Sequence, residues 1–254
     1  MQIEMQASPS RTDDSSSDKA AVSEYVLPVA VGESFGRSAT RRPSSLPSSL
    51  FRYQVIKRGA DLAFVVVALP VLLPVLFVVA MVVKLTSPGP IFFSHRRIGK
   101  DGAFFSMWKF RTMCVNSADV LERHLAANPA ARREWNECHK LRFDPRITSV
   151  GLFLRKYSLD ELPQIWNVFR AQMSLIGPRP IVAAEVEKYA DAYEDYCRVK
   201  PGLTGLWQVS GRSKLTYDER VALDRRYVAS WSLFADLKIL LSTFKSVVNR
   251  DGAY

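Results

Sequence analysis

The sequence is short of the residues that build cross-linked or metal-centred proteins. Among 254 residues there are three cysteines, Cys114, Cys138 and Cys197, an odd number with no CxxC spacing. That excludes a disulfide framework and a cysteine zinc site, and fits a reducing compartment. Histidine is as scarce: His95, His124 and His139 have no ligand-spaced partner, and no HExxH helix is present. No Walker loop, GxGxxG turn or Ser-His-Asp order occurs, so the familiar nucleotide and acyl-transfer signatures are missing. The first residues lack a basic stretch followed by an apolar run, so no signal peptide is expected. No internal repeat is present. With 48% hydrophobic and 24% charged residues, a wholly disordered or collagen-like chain is excluded.

Charge is plentiful but unevenly placed. The chain has 35 Lys and Arg against 25 Asp and Glu, a net charge of +10. Residues 1–50 hold five basic and six acidic side chains, which leaves 30 basic and 19 acidic, or +11, for the rest. A basic body calls for an anionic partner: nucleic acid, anionic lipid or a phosphorylated substrate. Residues 1–50 also contain twelve Ser and four Pro with no sustained period, the composition of a disordered cytosolic tail.

From Leu62 to Val83 run 22 uncharged residues, nearly all Leu, Val, Ala or Phe. As a helix they would reach about 33 Å, enough to cross a hydrocarbon core of about 30 Å. A soluble helix of this length would carry a polar stripe, and this one has none. Residues 51–90 are therefore a membrane segment. Pro70 and Pro74 sit in its middle, and each removes a backbone hydrogen bond. Basic residues flank it on both sides, Arg52, Lys57 and Arg58 before, Lys84, Arg96, Arg97 and Lys100 after. Basic flanks stay on the cytoplasmic side, so a helix broken near the prolines that enters and leaves by one face satisfies both facts. A Pro-kinked single span is the competing arrangement.

Residues 91–254 then form the remaining domain. Two aromatic runs, IFFSHRRI and AFFSMWKF, surround Lys100-Asp101-Gly102 and predict a β-hairpin. Its basic residues, His95, Arg96, Arg97, Lys109 and Arg111, would face headgroups or a phosphate. Residues 115–142 read as helix, split at Asn128-Pro129. Residues 149–170 and 236–248 carry apolar and polar positions at helical spacing, the pattern of amphipathic helices lying at a membrane interface. The fold class expected is mostly α with one small β-hairpin, in a monotopic membrane protein.

The remaining chemistry lies in an acidic pair set among cations. Asp160-Glu161 follows Arg155 and Lys156, and precedes Gly-Pro-Arg-Pro (177–180), Lys200-Pro201-Gly202-Leu203-Thr204-Gly205 and Gly211-Arg212. Phosphoryl transfer needs cations around the phosphate, a carboxylate for a divalent metal, and an aligned nucleophile or base. Asp can be that nucleophile, and Pro and Gly beside arginines hold their forks for bidentate phosphate contacts. The same residues would also suit a non-catalytic protein that grips anionic lipid or nucleic acid. The apolar segment gives lipid the simpler claim, and no nucleic-acid partner is expected.

The stretches WKFRTM (108–113), DPRIT (144–148), LRKYSLDELPQIWNV (154–168), MSLIGPRP (173–180) and RVKPGLTGLWQVSGR (198–212), with Lys57-Arg58 ahead of the apolar run, complete the picture. In order and spacing, residues 57–254 resemble the bacterial sugar transferases, the monotopic polyprenyl-phosphate phosphoglycosyl transferases, and in particular their short members that begin exopolysaccharide assembly. The resemblance implies transfer of a sugar-1-phosphate from a UDP-sugar to undecaprenyl phosphate at the cytoplasmic face of the bacterial inner membrane, releasing UMP. Downstream glycosyltransferases would extend the product. Galactose is the sugar to which the likeness leans, with glucose second. It further implies that Asp160 is the nucleophile and works with Mg²⁺, that Glu161 assists, and that Lys109, Arg155 and Arg179 contact phosphates. Arg111, Lys200 and Arg212 are further basic positions of the same kind. It also implies the re-entrant helix, bent at a Ser-Pro step. Here that step is Leu73-Pro74, with Pro70 one turn earlier, and the Ser-rich tail stands where longer members carry a four-helix membrane region.

Overall fold

The computed structural model describes residues 48–138, 140–211 and 215–249. The residue-1–50 tail lies almost wholly outside them, as do His139 and Arg212. In chain order the elements are α1 (Ser48–Thr86), β1 (Phe92–Ile98), β2 (Phe104–Phe110), α2 (Ser117–Ala127), α3 (Pro129–Cys138), α4 (Ser149–Lys156) and α5 (Gln164–Phe169). They continue with β3 (Ser174–Ile176), α6 (Val186–Tyr189), α7 (Ala192–Cys197), β4 (Gly202–Thr204), α8 (Leu206–Ser210), α9 (Tyr217–Ser230) and α10 (Leu233–Asn249).

The expected hairpin forms. Strands β1 and β2 pair antiparallel from Phe92↔Phe110 to Ile98↔Phe104. Asp101 and Gly102 supply the left-handed backbone of the turn, with φ of 58° and 72°. Asn128-Pro129 divides α2 from α3 as the Pro rule requires. A second, parallel two-stranded sheet, β3 with β4, was not expected. Three-residue strands are too short to show a period in sequence.

The apolar helix differs from expectation at its prolines. Helix α1 runs unbroken through Pro70 and Pro74 for 39 residues. Each proline removes only the bond to the carbonyl four residues back, and the neighbouring bonds carry the helix onward. Of its side chains Val65, Val79 and Val83 are buried, whereas Val67 is 78% exposed and Phe77 67%. The outward face is thus apolar with no protein over it, and this is the one helix among the described residues long and apolar enough to cross a membrane.

Both ends of that apolar run are tied to the same body. Before it, Arg58 donates to the carbonyls of Val168 (2.6 Å) and Phe169 (2.8 Å), and Asp61 accepts from the Leu175 amide at 3.1 Å. Lys57 and Tyr53 both engage Asp236 of α10. Beyond it, Arg111 donates to the carbonyls of Ser87 (2.8 Å) and Pro88. Two apolar clusters fill the space alongside. Val65 packs with Phe105, Met107, Ile165, Val168 and Leu175, while Val79 and Val83 pack with Phe110 and Leu154.

One buried amide sets the hairpin on α5. Asn167 has no exposed surface; its amide nitrogen donates to the Ser106 carbonyl (2.7 Å) and Gln172 (2.8 Å), and its oxygen accepts from the Trp108 amide (3.1 Å). Replacing it by Ala strands those groups, at a cost of about 1–3 kcal/mol for each one left unsatisfied. Asn167→Ala should therefore lower the thermal unfolding midpoint of the purified protein by several degrees. An unchanged midpoint would show that this bridge does not hold the hairpin in place.

Candidate functional site

The chain leaves α4 through Ser158, a non-glycine residue held at φ 55°. This left-handed step turns the backbone sharply, so the single 3-10 turn Leu159–Glu161 meets β2. Asp160 is only 8% exposed there. Lys109, projecting from β2, lies between the two carboxylates: its Nζ is 2.6 Å from Glu161 Oε1 and 3.8 Å from Asp160 Oδ2.

The two carboxyls are driven in opposite directions. Burial, with Glu161 adding to it, raises the pKa of Asp160 against the pull of Lys109 and Arg155. Burial would lift Glu161 too, but Lys109, Arg179 and Arg97 outweigh it and hold that carboxyl below its ordinary value. Adjacent carboxyls pushed apart in this way are a signature of acid–base and nucleophilic sites.

Around them, Arg155 donates through Nε to Thr112 Oγ1 at 2.9 Å and feels Asp160 and Asp144. Arg179 comes from the Gly177–Pro180 loop after β3. That loop rides directly on β4: a Cβ at Gly202 would lie 2.1 Å from the Gly177 nitrogen, so only glycine permits the approach. An apolar groove of about 610 Å³, lined by Pro74, Val78, Val82, Phe153, Leu154 and Leu159, opens between α1 and α4, one residue from Asp160.

The structure thus gathers Asp160, Glu161, Lys109, Arg155 and Arg179, and separates two others expected beside them. Arg111 is buried and donates from its two terminal nitrogens to the Ser87 and Pro88 carbonyls, bracing the end of α1, while its Nε has no partner. Lys200 is half-buried elsewhere, where burial, Arg58 and Lys100 lower its pKa. Arg212 lies outside the described residues. Arg97 joins the site through its influence on Glu161. It is one of the hairpin cations expected to face headgroups or a phosphate, and strand alternation places it with Phe93 and His95 on the hairpin face of Lys109, whose partner is Phe93.

No cluster of three or more His, Cys, Asp or Glu side chains exists among the described residues. Asp160 and Glu161 offer carboxylate oxygens side by side. That suits Mg²⁺, which is commonly held by one or two carboxylates together with substrate phosphates.

A buried carboxyl pair ringed by cations thus stands beside an apolar helix, an arrangement whose chemistry suits anionic ligands. The bacterial sugar transferase family matches residues 52–250, and the chain belongs to that family. It is 50% identical over 199 residues to a UDP-galactose-lipid carrier transferase of Erwinia amylovora, covering 78% of this chain and 42% of that protein. It is 45% identical over 225 residues to the exopolysaccharide production protein ExoY of Rhizobium meliloti (strain 1021), covering 86% of this chain and 100% of that one. It is 39% identical over 206 residues to the UDP-glucose:undecaprenyl-phosphate glucose-1-phosphate transferase of Escherichia coli (strain K12), covering 78% and 41%. The chain therefore spans less than half the length of the first and third of these relatives.

The electrostatics predict how Asp160 titrates. A carbodiimide labels only the protonated carboxyl, so labelling of Asp160 should persist to higher pH than that of an ordinary Asp near 3.9. Lys109→Met removes a cation that lowers this pKa and should extend labelling further upward. Glu161→Gln removes a like charge and should draw it back. Shifts of the opposite sign, read by peptide mass spectrometry, would contradict the arrangement.

Proposed function

We propose that this chain transfers a sugar-1-phosphate from a UDP-sugar to undecaprenyl phosphate, as the first membrane step of exopolysaccharide synthesis. The observation that carries the reading is Asp160, buried against Lys109 and facing Arg155 beside an apolar groove. The relatives' names support the substrate class.

In the first half-reaction an Asp160 carboxylate oxygen attacks the sugar-bearing phosphorus. The bond from that phosphorus to the bridging oxygen breaks, and UMP leaves with the electron pair. In the second, an oxygen of undecaprenyl phosphate attacks the same phosphorus, the acyl-phosphate bond to Asp160 breaks, and the diphosphate-linked sugar is formed. Lys109 draws Asp160 toward its ionised form against the effect of burial and meets the incoming phosphate. Arg155 and Arg179 offer guanidinium forks to the phosphate oxygens. Glu161, held ionised, positions Lys109. Mg²⁺, held by Asp160 with Glu161 nearby, would neutralise phosphate charge when bound.

The isoprenoid tail would lie in the groove between α1 and α4, which is continuous with the lipid-facing side of α1. The re-entrant arrangement at the cytoplasmic face of the inner membrane belongs to the same proposal. Lys57 and Ser87 would be about 45 Å apart along a straight helix, yet both are fastened to one charged body. A straight crossing would carry that body into the hydrocarbon core, whereas entry and exit by one face does not. Exposed Phe153, Trp166, Phe234 and Phe244 on α4, α5 and α10 would rest in the interface. Galactose is the proposed sugar, since identity to the galactose-named relative exceeds that to the glucose-named one.

Purified protein with Mg²⁺ and undecaprenyl phosphate should release UMP from UDP-galactose in preference to UDP-glucose. Asp160→Asn should lose turnover by at least about 10⁴-fold, the scale seen for removal of a covalent nucleophile, while remaining folded. Turnover of Asp160→Asn near the wild-type rate would refute the nucleophile assignment, and preferential release from UDP-glucose would reassign the sugar.

A further inference from the structure

On the Glu161 side of the pair lies a group of guanidiniums with too few counter-ions. Arg97 donates to the Pro180 carbonyl at 3.1 Å, forms its one ion pair among the described residues with Glu185 at 3.8 Å, and feels Glu161 from farther off. Glu185 is itself pinned by the Val182 amide at 2.9 Å. Arg220 of α9 donates only to the Leu215 carbonyl, at 3.0 Å. The Nε of Arg97 and the Nε of Arg220 are both buried without a hydrogen-bond partner. Arg179 makes no hydrogen bond or ion pair among the described residues; its guanidinium and that of Arg220 lie 6.0 Å and 5.0 Å from the Trp207 ring.

Desolvated cations of like sign in one place are costly unless an anion joins them. Arg97 and Arg179 are close enough to repel each other electrostatically. The indole of Trp207, only 9% exposed, brings Arg179 and Arg220 to one aromatic ring. Three forks of this kind match the several oxygens of a diphosphate.

We infer that Arg97 and Arg220 complete, with Arg179, a clamp for the nucleotide diphosphate of the donor. The clamp is distinct from the Arg155 position, where the lipid phosphate is received. The inference rests on the functional reading above; it gives the hairpin's Arg97 a specific ligand and adds Arg220, which no motif carries. The division follows the surroundings. Arg155 acts on Asp160 and belongs to α4, whose Phe153 and Leu154 line the apolar groove. The Arg97–Arg179–Arg220 cluster acts on Glu161, through Arg179 and Arg97, and none of its members borders that groove. A substrate with a long isoprenoid tail fits the first surroundings, and a polar nucleotide the second.

The test uses the full chain in detergent with Mg²⁺ and measures calorimetric UDP binding for wild type, Arg97→Lys and Arg220→Gln, each checked for an unchanged unfolding midpoint. Arg97→Lys keeps the charge and loses the fork, so it separates geometry from net charge. Each variant should weaken UDP binding by about tenfold or more, as loss of a charge-assisted hydrogen bond does. Steady-state kinetics should show the KM for the UDP-sugar rising in parallel, with the KM for undecaprenyl phosphate within twofold of wild type. Arg155→Gln should show the reverse split. Wild-type UDP affinity in both variants, or an increase confined to the acceptor KM, would overturn the clamp while leaving the transferase reading intact. Weakened UDP binding in variants of a protein that releases UMP from no UDP-sugar would refute the reaction and leave the clamp standing.

Discussion

The site depends on one ammonium group. Two adjacent carboxyls withdrawn from water would suppress each other's ionisation, and without a cation one would stay protonated. Lys109 meets both, closely at Glu161 and more loosely at Asp160. At an effective dielectric of about 20, an opposite charge about 4 Å away contributes roughly 4 kcal/mol of gross attraction, enough to offset much of the burial penalty. Because Lys109 belongs to the hairpin and the pair to the turn after α4, this contact also fixes the two elements against each other. Asn167 secures the same strand from behind by bonding the backbone of its neighbour Trp108.

The asymmetry of that contact has a chemical consequence. Glu161 takes the short bond and is committed to it, whereas Asp160 keeps its oxygens largely unengaged. A buried carboxyl with few bonds of its own suits the nucleophilic role proposed for it. The membrane helix supplies the setting. Its buried side packs on the same clusters that support β2 and α4, and its two ends are latched by Arg58 and Arg111. Asp160 therefore sits where an apolar groove meets a group of cations, which is what the proposed reaction between a water-soluble donor and a lipid acceptor requires.

Much of this was legible in sequence because the signals are local. The uncharged run from Leu62 to Val83, the Asp-Gly hairpin turn and the Asn128-Pro129 break each depend on a few adjacent residues. The acidic pair stood out by its neighbours, and the family likeness assigned its roles. What stayed hidden depends on distant partners. Arg111 and Arg155 look alike in the sequence, yet one braces the carbonyls after α1 and the other faces Asp160. Lys200 lies in a glycine-rich motif, yet burial and the neighbouring cations Arg58 and Lys100 disfavour its charge. Arg220 and Trp207 come together only because α8 and α9 pack, and no spacing announces it. The prolines are a different case: removal of one hydrogen bond weakens a helix without obliging it to end, and α1 continues through both.

The most direct test of the account is the intact and peptide mass of the protein after incubation with its UDP-sugar and Mg²⁺, with no lipid acceptor present. The account predicts one hexose-phosphate added to the peptide bearing Asp160, lost on adding undecaprenyl phosphate and never formed by Asp160→Asn. UMP release that strictly requires the acceptor, with Asp160 unmodified throughout, would mean direct transfer between substrates and would contradict the covalent mechanism.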